Sequence, residues 1–161
     1  MNTKYIRVFF TFASIVLALL GGYQLWRGYD SANDYNTYIT QVRGPIEAQD
    51  VLLDEIQSQS AKGAIETAHS NDWLRRSQQI EEDLRQMDIE KDWLRDLHQY
   101  LLQRSQSITQ MIAAQKRFLE NGDDAILKEA EAHGKEAGNQ LSQFIMARDA
   151  LARQKNFEVK Q

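Results

Sequence analysis

From Ala64 to Asn121 the sequence contains neither glycine nor proline, and this run constrains the fold more than any other feature. Without residues that break helices or supply positive φ, the expected outcome is long helix. From Trp73 the register positions step by three and four: Trp73, Ser77, Ile80, Leu84, Met87, Lys91, Leu94, His98, Leu101, Ser105, Ile108, Ile112, Gln115 and Leu119. The register never slips, which predicts one continuous helix. A second apolar row (Trp93, Leu97, Tyr100, Met111, Phe118) widens the stripe enough to touch two neighbours rather than one.

The flanks supply the other elements. Ser31 and Asp34 form a capping-box-like start to a first helix that presents Tyr35, Tyr38, Ile39 and Val42. Gly44-Pro45 should kink or restart it, since proline removes a ladder donor. The helix then carries Ile46, Leu52, Leu53, Ile56 and Ile65 and ends near His69, with Ser70-Asn71-Asp72 offering three N-cap residues for the next. Asn121-Gly122 should stop the long helix with a left-handed residue, and Asp123 or Asp124 should cap the last one. That last helix presents Leu127, Ala130, Gly134, Ala137, Leu141, Phe144 and Leu151 and frays after about Arg153. Gly134 and Gly138 would each cost helix stability unless they allow close packing, with Trp93 or Tyr100 as the expected bulky neighbour.

A different solvent is implied for Val8–Trp26. These 19 residues carry no charge and would span roughly 28 Å as helix, close to the hydrocarbon thickness of a bilayer. No Ala-x-Ala frame follows, and Tyr5, Tyr23, Trp26 and Tyr29 flank the stretch at interface depth. An uncleaved signal-anchor in the inner (plasma) membrane is expected. Lys4 and Arg7 on its N-terminal side place the N-terminus in the cytoplasm and the rest in the periplasm or outside the cell. Within it, Ser14, Ala18 and Gly22 are four residues apart and would line one face, where small residues let membrane helices approach closely.

The expected fold class is therefore all-α: an N-terminal single transmembrane helix followed by an antiparallel bundle of three long helices, or four if the long helix breaks near 87–91. Asp-Trp-Leu-Arg occurs at 72–75 and again at 92–95. On one helix these tryptophans would sit roughly 160° apart, which argues for such a break. The domain reading is a cytoplasmic N-terminus (1–7), signal-anchor (8–26), juxtamembrane helix (27–44), extracytoplasmic bundle (45–156) and frayed tail (157–161).

The chemistry is narrow. Beyond Trp26 stand 17 of the 19 Lys and Arg and all 23 Asp and Glu, a net of about −6 that repels phosphate backbones, so no nucleic acid is expected as partner. There is no cysteine, hence no disulfide, thiolate nucleophile or lipidated anchor. Glu66-x-x-His69 has the spacing of di-iron bundles, but its only echo is Glu129 with His133, too few ligands for a metal. No phosphate loop, nucleophile elbow or zinc-protease signature occurs. The sequence points to no enzyme, no metal and no cofactor.

What remains is a partner-binding protein: a membrane-anchored scaffold whose bundle contacts another membrane or envelope protein, or itself. Trp73, beside the expected turn at Ser70–Asp72 on the end far from the membrane, is the candidate interface anchor, with core closure of the bundle end as its alternative. Two other layouts fit. A membrane helix leading into a periplasmic bundle resembles the input half of chemoreceptors and sensor kinases, which would imply a sensory or ligand-binding module acting through a partner receptor. It is also similar in layout to the inner-membrane spanins of phages, which would imply an envelope-bridging coiled coil.

Overall fold

The computed structural model describes residues 31–59 and 67–155, and among them the chain forms four helices and no strand. These are α1 (residues 31–59), α2 (Thr67–Arg85), α3 (Asp92–Asn121) and α4 (Asp124–Lys155). The chain divides into two compact units, Met1–Thr37 and Tyr38–Gln161. The packing below is that of the second.

The expected long helix from Trp73 to Leu119 does not exist. It breaks over residues 86–91, so the bundle has four helices rather than three. No glycine or proline makes this break; α3 makes it. His98 Nε2 lies 2.9 Å from the Leu84 carbonyl oxygen at the end of α2, and Arg95 Nε donates to the Ile89 carbonyl oxygen at 2.9 Å. Two side chains from the first turns of α3 thus satisfy backbone carbonyls that a continuous helix would have satisfied internally. The two tryptophans consequently lie on different helices, as the repeated tetrapeptide suggested.

Two further expectations change. Ser70-Asn71-Asp72 is not a turn: these residues lie inside α2, and Ser70 is already on its buried face with Trp73, Ser77, Ile80 and Leu84. Residues 60–66, between α1 and α2, lie outside the described residues. Helix α1 also runs through Gly44-Pro45 without restarting. Its buried positions Tyr38, Val42, Gln49, Leu52 and Ile56 keep one alternation of four and three, and Pro45 fills the vacant step of that seam. Packing on both sides of the lost ladder bond outweighs the local cost of proline.

The register of α3 emerges as the sequence predicted, with Leu94, His98, Leu101, Ser105, Ile108 and Ile112 all buried. Leu97 and Met111 from the second row are buried too, and α3 packs on both α2 and α4. At its end Gly122 takes φ 67° and donates its N–H to the Phe118 carbonyl oxygen at 2.7 Å. Asp123 then caps α4, its Oδ1 accepting from the Ala125 N–H at 2.8 Å.

Cross-helix contacts give the directions. Glu55 of α1 meets Trp73 and Arg76 of α2; Arg117 meets Glu129, and Lys155 sits over the Trp93 ring at 4.9 Å. Successive helices are antiparallel. The end of α4 therefore returns to the end of the bundle that holds Tyr38, His98 and the 86–91 loop, which reverses the layout expected of three helices. Among the described residues no helix is long and apolar enough to cross a membrane; the apolar Val8–Trp26 stretch lies outside them.

Candidate functional site

Trp73 is 1% exposed, so the structure places it in the core rather than on a surface. Its indole Nε1–H donates to Glu55 Oε1 at 2.8 Å, and its ring stacks on His69 at 5.9 Å between centroids. The other oxygen of Glu55 accepts from Arg76 Nη1 at 2.7 Å. One carboxylate thereby staples α1 to α2. The hydrogen bonds from Trp73 and then Arg76 hold the Glu55 carboxyl below the ordinary carboxylate range. The sequence offered no signal for Glu55, because an acid at a helix surface looks the same whether solvated or bound.

His98, on the apolar register by sequence, joins three helices. Its Nε2 must carry the proton given to the Leu84 carbonyl oxygen, which leaves Nδ1 to accept from the Tyr38 hydroxyl at 3.4 Å. The Tyr38 ring meets it edge-on at 5.9 Å. Burial pushes the His98 pKa down and the Tyr38 pKa up. Such a neutral histidine is positioned to hold the C-terminal end of α2. Among the described residues no group of three or more His, Cys, Asp or Glu is placed to hold a metal ion. Glu129 lies 3.8 Å from His133 and also pairs with Arg117 at 2.6 Å.

A third cluster was missed by sequence reasoning. Gln49 is 1% exposed and Arg104 is 2% exposed, the one buried Arg, Lys, Asp or Glu among the described residues. Arg104 Nη2 donates to Asp50 Oδ1 at 2.6 Å, while Nη1 has no hydrogen-bond partner. Both amide atoms of Gln49 and Oε1 of Gln140 are likewise buried without a partner. The available signal was the polar Gln49 in the α1 seam, obscured by reading Ile46 and Leu53 as the inward face.

The surface carries open grooves. One, of about 490 Å³, runs between α1 and α2 and is lined by Gly44, Ala48, Val51, Ile80, Arg76 and Gln79 among others. Val51 in it is 60% exposed. The glycine strip of α4 divides in two. A Cβ on Gly134 would sit 3.1 Å from Met111 Sδ, so Met111 and not Trp93 or Tyr100 is its neighbour, whereas Gly138 faces open space. Ser14, Ala18 and Gly22 lie outside the described residues. Comparison with protein-family models, with curated proteins and with solved structures finds no match for this chain.

Proposed function

We propose that this chain is a single-pass inner-membrane protein whose helical bundle, outside the cytoplasm, binds another envelope protein without catalysing a reaction. The anchor is the uncharged Val8–Trp26 stretch, oriented by Lys4 and Arg7. Ser14, Ala18 and Gly22 are its packing face. The observation that carries partner binding is the α1–α2 groove, where Gly44 and Ala48 leave a channel beside the exposed Val51. Small residues next to an exposed apolar one admit a partner side chain at close range, and this groove takes over the interface role that the sequence assigned to Trp73.

A photocrosslinking residue at Val51, followed by recovery from intact membranes, tests this. One discrete crosslinked partner, lost in Ala48→Glu, is expected. A crosslinking pattern no different from that of a label at Gln106 would contradict it.

One observation favours a second reading, the sensory module. The end of α4 comes back to the Tyr38 end of the bundle, as suits a device that passes a change along its helices to a receptor or kinase. Recovery of such a protein in the same experiment would select it.

A further inference from the structure

We infer that the middle of the bundle is a binding site for a small carboxylate that also carries a hydrogen-bond donor, held by Arg104, Gln49 and Gln140. The register places these groups together. Asp50 touches Arg104 directly, so residues 49–50 of α1 and 104–105 of α3 share a level. The Leu84–His98 contact, followed seven residues back along α2 and seven forward along α3, puts Ser77 opposite Ser105. The Met111–Gly134 approach, followed six residues each way, puts Ser105 opposite Gln140. Gln49, Ser77, Ser105 and Gln140 thus form one layer with a buried polar residue from each helix, and Arg104 beside it.

The layers on either side are apolar: Leu52, Trp73, Ile108 and Ala137 on one, Ile80, Leu101 and Phe144 on the other. Ser77 and Ser105 are small where those layers use Ile, Leu or Trp. Ser77 Oγ is spent on its own helix, on the Leu74 carbonyl oxygen at 2.9 Å, and Gln140 Nε2 on Glu136 at 3.1 Å. What stays unpaired is balanced: two donors, Arg104 Nη1 and Gln49 Nε2, and two acceptors, Gln49 Oε1 and Gln140 Oε1. Buried polar atoms left without partners are costly, and a native fold retains them where something else satisfies them. The complement of this set is a carboxylate for the two donors, with a hydroxyl or ammonium on the same small molecule for the two acceptors. The guanidinium is already paired with Asp50 through Nη2, so what it offers a carboxylate is the remaining Nη1 donor. Asp50, about half exposed, holds its outer nitrogen and marks the side from which a ligand arrives.

A polar layer can also serve only to fix helix register, or hold only water, and the experiment separates these. The full chain in detergent is unfolded thermally at constant ionic strength with sodium glycolate, glycine, acetate or chloride. Glycolate or glycine should raise the midpoint saturably, acetate less, and chloride not at all. Arg104→Gln should weaken the effective ligand at least tenfold. Gln49→Leu should raise the midpoint without ligand, by removing two unpaired atoms, and abolish the ligand-dependent rise. A midpoint indifferent to every carboxylate, or a rise that survives in both variants, would overturn the inference. Should Arg104→Gln fail to fold, Gln49→Leu alone decides.

Discussion

Single residues in this bundle do work that their types alone do not announce. Gly134 and Gly138 look equivalent in sequence, yet only Gly134 is pressed by a neighbour, the Met111 thioether. Gly134→Leu should therefore destabilise the bundle by about 1–3 kcal/mol through overpacking. Gly138→Leu should be neutral or stabilising by up to about 1 kcal/mol, since it faces open space and gains helix propensity. Urea unfolding of the two variants compares them directly. His98 makes a pH prediction. Its folded pKa lies below the ordinary value, so the unfolded chain binds the proton more readily. Stability from this residue is complete above about pH 6.5 and is lost as pH falls through the lowered folded value, by at most about 1.4 kcal/mol per pH unit. In His98→Gln the slope of stability between pH 7.5 and 5.5 should flatten. Glu55 acts in a lower window. Its depressed pKa gives stability that is present above the ordinary carboxylate range and lost in more acid solution.

At the scale of elements, each helix pair is fixed by a different device. Glu55 staples α1 to α2, His98 ties α3 back to the end of α2 and Arg95 ties it to the 86–91 loop, and Gly122 with Asp123 turns α3 into α4. Trp73→Phe keeps the ring but removes the donor to Glu55, and should cost about 1–2 kcal/mol, against about 3–5 kcal/mol for Trp73→Ala. Equal losses would show that the staple contributes nothing. The α3–α4 turn was legible because its signals are local: a glycine for positive φ and an aspartate cap. The buried face of α3 was legible because periodicity alone sets it. The 86–91 break was not, because the groups that stabilise it come from the next helix and leave no mark in the loop's own composition. Ser70-Asn71-Asp72 misled for the opposite reason. Good capping residues do not make a turn when the packing stripe already includes Ser70. Gln49 and Arg104 stayed hidden because polar and charged residues at helix spacing read as surface until a neighbouring helix covers them.

At the scale of the whole bundle, the even number of helices among the described residues decides where the ends of α1 and α4 lie. The reversal at 86–91 brings the end of α4 beside Trp93, at the end of the bundle reached from Tyr38. A reporter active only outside the cytoplasm, fused after Gln161, should be active, and the full chain should pellet with membranes. Release of a shortened soluble product would remove the proposed anchor. Every cross-helix claim above rests on the reversal, and the cysteine-free sequence makes it directly measurable. Spin labels on Arg75→Cys and Gln106→Cys, both at exposed positions, report it by electron–electron dipolar spectroscopy. Antiparallel neighbours at one level have axes about 8–10 Å apart, so with label arms the distance should fall near or below about 25 Å. A continuous helix from Trp73 to Leu119 would separate the same residues by roughly 46 Å. A distance distribution centred there would contradict the four-helix account.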